Sequence, residues 1–299
     1  MQTLLFITAA WLGVNVLHAA WVESRRFFWE KRLARDADGL LPGAAAYTVG
    51  SGPVALLFIH GFADTPMIWK RMAERLASTG NFTCRAMRLP GSAEPAPRAR
   101  LQSLERWRQA VNEETDALRA AHVTVWVIGH SMGAALALDA ALRSPDKVAG
   151  VAALAPMIAV SHRRSPLLPP GVWFRLARVA LGLSPTFESC FSADGVAVDD
   201  PAFTYTRDRF IPFSVYCGLF QLIRSNRDQA ARLSQPVFAA TAERDSVIDT
   251  PAALRWIAAC PGRKAIRALS DIGHVIPLEI GWQALADGLA RFIQASRAD

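Results

Sequence analysis

The chain has 299 residues, 52% of them hydrophobic and 20% charged, with a formal net charge of +7. That length suits one large domain with an insertion rather than two separate domains. The excess charge comes without a basic stripe interleaved with aromatics, so no nucleic-acid partner is implied and an anionic lipid surface stays open. Cys84, Cys190, Cys217 and Cys260 lie far apart without a CxxC pair, which gives no zinc or redox motif.

Residues 3–22 carry no charged side chain. A run of about 20 apolar residues can cross a bilayer core as a helix. Asn15 and His18 weaken that signal, while Trp11 and Trp21 suit interfacial positions. Arg25, Arg26, Lys31, Arg32 and Arg35 follow the run, and no Lys or Arg precedes it. This is the reverse of a secretory signal. The expectation is a membrane anchor over 1–24, a single N-terminal span with the catalytic domain on the cytoplasmic side. A cleaved signal with a secreted or periplasmic product, and an amphipathic or buried helix, are the alternatives.

Residues 25–52 read as a polar helix and a lead-in. From residue 53 to the end, strands and helices alternate. Val54–Ile59 is a continuous apolar run, as for a strand buried on both faces. Met67–Ser78 has helical periodicity, Thr83–Leu89 is a second strand, and Leu101–Ala121 is a long amphipathic helix. Strand Val123–Ile128 leads into helix Met132–Arg143, and strand Val148–Leu154 follows. The rhythm breaks at about 161–234, where Pro169, Pro170, Trp173, Phe174, Phe191, Phe203, Tyr205 and Phe213 stand out as an aromatic cap insertion. It resumes with strand Val237–Ala242, helix Thr250–Cys260, strand Lys264–Leu269 and a closing helix from Gly281. Such βαβα alternation predicts an α/β fold: a mainly parallel sheet, of eight-strand type, flanked by helices.

Gly129-His130-Ser131-Met132-Gly133 joins a predicted strand directly to a predicted helix. A G-x-S-x-G pattern arises by chance in a chain of this composition about 0.07 times. In that context the glycines permit a tight turn that lifts Ser131 above the sheet as a nucleophile. His60-Gly61-Phe62 ends the first buried strand, the expected place for a second oxyanion donor. The donors would be the backbone N–H groups of Phe62 and Met132.

A base and an acid should follow in the order nucleophile, acid, histidine. His274 is the histidine placed after a late strand, whereas His162 opens the cap and the other four precede Ser131. Asp245, after Val237–Ala242, is the expected acid, with Glu243 and Asp249 as runners-up and Asp271 as a loop residue. No metal or organic cofactor is implied.

At these residues the chain resembles the α/β-hydrolases, in particular bacterial carboxylesterases and monoacylglycerol lipases grouped with the serine aminopeptidase S33 domain. The matching pieces are His60-Gly61-Phe62, Arg88-Leu89-Pro90-Gly91, Gly129-His130-Ser131-Met132-Gly133, Asp245 and Gly273-His274-Val275-Ile276. After Pro90-Gly91 the chain has Ser92-Ala93-Glu94 where many relatives carry His-Gly. The resemblance implies ester hydrolysis, with a lipid ester such as a monoglyceride as substrate. Thioesterase, amidase or aminopeptidase activity on the same triad is the alternative, and a catalytically silent, membrane-anchored binding protein a second one.

Overall fold

A computed structural model describes residues 1–165, 167–189 and 207–297. The first helix, α1, runs without a break over Gln2–Glu30. Residue 24, the expected end of the apolar segment, falls within this helix, so the apolar run and the charged turns after it are continuous. Nothing in Glu23–Glu30 breaks a helix, and Arg26 bridges Glu23 and Glu30 one turn either way.

A seven-stranded sheet carries the rest. In chain order its strands are β1 (Tyr47–Val49), β2 (Val54–Ile59), β3 (Phe82–Met87), β4 (Thr124–His130), β5 (Gly150–Leu154), β8 (Val237–Ala242) and β9 (Lys264–Leu269). Their spatial order is β1-β3-β2-β4-β5-β8-β9. Only β1 is antiparallel to its neighbour. Among the described residues the sheet has seven strands against the eight-strand type expected, and residues 31–46 of the lead-in form turns and loops. All six residues of β2, all five of β5 and all six of β8 are buried, as continuous apolar runs require.

Helices cover both faces: α2 (Lys70–Ala77), the short α3 (Ala96–Ala99), α4 (Leu104–Ala121), α5 (Met132–Arg143), α8 (Thr250–Ala258) and α9 (Trp282–Ala295). The expected helix from Met67 instead starts as a 3-10 turn over Pro66–Trp69, since proline suits the first turn of a helix. The long helix begins at Leu104 rather than Leu101, capped by the Ser103 side chain. A half-buried ion pair ties the helices together: Arg108 of α4 grips buried Asp139 of α5 at 2.6 and 3.0 Å.

The insertion between β5 and β8 holds α6 (Pro170–Ala180), the antiparallel pair β6 (Thr186–Glu188) and β7 (Phe210–Pro212), and α7 (Phe213–Asn226). Phe174 stacks on Phe213 and Phe220, giving the cap its own aromatic core. Cap residues Phe191, Phe203 and Tyr205 lie outside the described residues, as does Cys190. Cys84, Cys217 and Cys260 are free thiols.

Chain order reverses at β2. It passes to β3 on one side and then to β4 on the other, and β2 pairs with β4 from Val54↔Thr124 to Ile59↔Gly129. The crevice outside the carboxyl ends of strands at such a switch point is where open α/β sheets bind ligands.

Candidate active site

The register of β2 on β4 places His60-Gly61-Phe62 beside the Ser131 turn. Ser131 has φ 55° and ψ −116°, a conformation that non-glycine residues hold at a cost of about 1–3 kcal/mol. The flanking glycines make the turn possible. A Cβ on Gly129 would lie 2.1 Å from the Gly133 carbonyl oxygen, and one on Gly133 would lie 2.2 Å from that of Ile59. The turn is pinned by the Ser131 N–H, which donates to the Leu154 carbonyl at 2.9 Å. Met132 opens α5, so its N–H belongs to the first turn, which lacks intrahelical acceptors.

His274 leaves the loop after β9 and meets Ser131: Nε2 lies 2.9 Å from Ser131 Oγ. Its Nδ1 lies 2.7 Å from Asp245 Oδ2. Asp245 Oδ1 accepts the N–H groups of Val247 and Ile248 at 2.7 and 3.0 Å. Burial pushes the Asp245 pKa up, but the hydrogen bond and charge of His274, with those two N–H groups, outweigh it, and the net shift is downward. For His274, burial is the largest influence and lowers the pKa; Asp245 opposes it, and the net shift is again downward. At neutral pH the arrangement is therefore a carboxylate facing a neutral imidazole, whose Nδ1 carries the proton and whose Nε2 is free to accept one.

The two remaining motif histidines are structural. His60 Nε2 accepts the Leu89 N–H at 3.1 Å, so Nδ1 holds the proton and donates to the Gly61 carbonyl at 2.9 Å. Burial drives its pKa down to about 4. His130 Nε2 donates to the His274 carbonyl at 2.8 Å and thereby holds the loop that carries the imidazole. The other candidate acids are occupied elsewhere. Asp249 caps α8 through the Ala252 N–H at 2.9 Å, and Asp271 pairs with Arg244 on the surface. Glu243 is exposed.

Sequence reasoning missed the clamp on the loop that follows β2. Arg207, within the cap just before β7, donates to the Phe62 carbonyl at 3.0 Å and pairs with buried Asp64 at 2.7 Å. Asp208 N–H donates to the Ala63 carbonyl at 3.0 Å, and Asp208 Oδ2 accepts the Ala93 N–H at 2.9 Å. Ser92 Oγ donates to the Asp64 carbonyl. Burial raises the Asp208 pKa to about 7. Arg207 and Asp208 lie more than 100 residues from Phe62, Ala63, Asp64 and Ala93, with no spacing that could have flagged them. Ser92 and Ala93, which follow Pro90-Gly91, are two small residues that close on this loop. A cleft beside it is lined by Trp29 and Glu30 of α1, with Gly61, Met132, Phe210 and Val215.

Comparison with known proteins fits this geometry. Over 107 residues the chain is 33% identical to a thermostable monoacylglycerol lipase of Bacillus sp. (strain H-257), covering 36% of this chain and 42% of that one. The matched stretches span less than half the length of the curated relatives. A metagenome-derived lipolytic enzyme has a similar fold, with TM-score 0.73 at 18% identity over 86% of this chain and 99% of that one. The monoacylglycerol lipase of Paleococcus ferrophilus gives TM-score 0.69 at 17% identity over 84% and 98% of the respective chains. The family described as serine aminopeptidase, S33 matches residues 53–280, well over half of the sequence. On that match and this sheet topology, the chain belongs to the serine aminopeptidase S33 family of α/β-hydrolases.

Proposed function

We propose that the protein hydrolyses carboxylic esters through an acyl-Ser131 intermediate, with lipid esters of the monoglyceride kind as substrates. The observation that carries this reading is the unbroken line from Asp245 through His274 to Ser131 at a strained strand-to-helix turn. Ser131 Oγ attacks the ester carbonyl while His274 Nε2 takes its proton. The positive imidazole is stabilised by the Asp245 carboxylate. Negative charge on the carbonyl oxygen is met by the N–H groups of Phe62 and Met132, which Arg207 and the α5 turn hold in place. Collapse expels the alcohol, which receives the proton from His274. Water then repeats the sequence on the acyl-enzyme and releases the acid.

Lipid specificity is supported by the name of the Bacillus relative, by the aromatic cap and by α1, a 29-residue helix with a hydropathy of 1.6 over its apolar window. In this reading α1 holds the enzyme at a membrane. A fluorophosphonate probe should label the wild type and not Ser131→Ala, and a panel of esters of increasing acyl length should show a preference for medium or long chains. Labelling of Ser131→Ala would end the nucleophile assignment. Equal turnover across chain lengths, or faster turnover of amides, would end the lipid-ester assignment.

A further inference from the structure

One face of α1 is not free. Trp11 Nε1 donates to the Val179 carbonyl at 2.9 Å. Asn15 Nδ2 donates to the Ala180 carbonyl at 2.8 Å, and Asn15 Oδ1 accepts the Leu183 N–H at 3.1 Å. His18 Nδ1 is hydrogen-bonded to Ser184 Oγ at 2.9 Å, and its ring lies 5.7 Å from that of Phe187. Val22 is 1% exposed. Arg25 forks onto Glu188 with two bonds of 3.0 Å, and the Trp29 ring lies 5.6 Å from that of Phe210. Positions 11, 15, 18, 22, 25 and 29 follow steps of four and three, the spacing of one continuous helix face. The two polar residues that weaken a lipid-spanning reading thus both have partners in the cap: Asn15 at the end of α6, and His18 at Ser184 just beyond it. Asn15 is wholly buried and takes up both a carbonyl and an N–H that the helix terminus leaves open.

Length decides what this seam permits. From Trp11 to Trp29 the helix advances about 27 Å along the cap. Only Gln2–Ala10 extends beyond the first contact, about 13 Å, against a bilayer core of about 30 Å. A helix held this way cannot reach across. Its outer face is nevertheless strongly apolar, with Leu4, Phe6, Val16 and Leu17 between 63% and 75% exposed. Trp173, Leu176 and Val179 of α6 and Leu183 after it are exposed as well, and the two strips meet where Trp11 bonds to the Val179 carbonyl. Beside them, the groove between α6 and α7 carries Arg175, Arg178, Arg224 and Arg227, all exposed. None of the four has an acidic partner among the described residues. An apolar strip of this extent with a basic rim matches one lipid leaflet and its anionic headgroups.

We propose that α1 lies along the cap as an in-plane, monotopic element, and that its outer face together with α6 seats the enzyme in one leaflet of an anionic bilayer. This rests on the reading that α1 attaches the protein to a membrane. It differs from a single span in where the N-terminus ends: on the same side as the catalytic domain. The full chain with an epitope tag at each terminus, in sealed membrane vesicles, tests this by protease accessibility. Both tags should be cut, or both protected, together. Tags on opposite faces would establish the span and overturn the proposal, whereas a chain recovered without its N-terminal tag, or wholly in the soluble fraction, would remove the membrane attachment itself.

Two variants keep the outcome readable. Asn15→Leu with His18→Leu makes α1 more apolar, so a lone span would hold at least as firmly with an unchanged cap. In the docked arrangement it should speed amide exchange over residues 171–188 at least tenfold; unchanged exchange would overturn the seam. Arg175→Gln with Arg178→Gln should weaken binding to vesicles containing anionic lipid roughly thirtyfold, at about fivefold per removed charge, and leave binding to zwitterionic vesicles unchanged. Self-association through α1 in place of vesicle binding would assign the surface to a second copy of the chain and overturn the leaflet.

Discussion

Replacing Asp245 by Asn alters one atom and tests the proton path directly. Asp245 Oδ1 accepts two backbone N–H groups, from Val247 and Ile248, while Oδ2 faces His274. An asparagine must aim its single oxygen at one of these sides. Turning its NH2 toward the two N–H donors would strand both in a buried site, at about 1–3 kcal/mol each. The oxygen therefore stays with the backbone, and the NH2 points at His274 Nδ1. That nitrogen becomes the acceptor, Nε2 takes the proton, and Nε2–H now faces Ser131 Oγ. The imidazole can no longer receive the serine proton. The expected loss in kcat is about 10⁴-fold, which is about 5.4 kcal/mol of transition-state stabilisation. The assay is hydrolysis of a p-nitrophenyl ester at saturation, with circular dichroism confirming an intact fold. A variant within tenfold of wild type would refute both the tautomer argument and the role of Asp245.

The pH profile of kcat/KM should fall on the acid side, because protonated His274 cannot act as base; since burial lowers its pKa, the midpoint should lie below about 6.5, and a midpoint above that value would contradict the buried environment. Gly133→Ala forces a Cβ to 2.2 Å from the Ile59 carbonyl oxygen and 2.5 Å from that of His60, so the oxyanion loop must move and activity should drop more than a hundredfold; Gly171→Ala, with open space around it, is the matched control and should leave activity unchanged. Asp139→Ala removes the buried partner of Arg108 and should cost about 2–4 kcal/mol in chemical denaturation, with no change in probe labelling of the surviving folded protein.

Several features were legible without tertiary structure because each depends on neighbours in the chain. β2 is apolar throughout and β8 is apolar but for Thr241, as strands buried on both faces are. The Ser131 turn is announced by two glycines whose Cβ atoms would collide with backbone four or five residues away or at the end of the adjacent strand. The order of nucleophile, acid and histidine, with a strand before each, pointed to Asp245 and His274, which the structure brings together with Ser131; the order left Glu243 and Asp249 open as acids, and only the structure shows Asp249 capping a helix.

Long-range partnership was not legible. Nothing local relates Arg207 to Phe62, Asp208 to Ala93, or His130 to the His274 carbonyl, because each bond joins segments more than 100 residues apart that only the closed sheet and returning cap bring together. The same holds for α1. Composition alone determined that residues 3–22 are apolar enough to seek lipid, since transfer energy depends on side-chain chemistry. Whether Asn15 and His18 are a cost within that run depends on what faces them, and only the folded cap supplies the Ala180 carbonyl, the Leu183 N–H and Ser184.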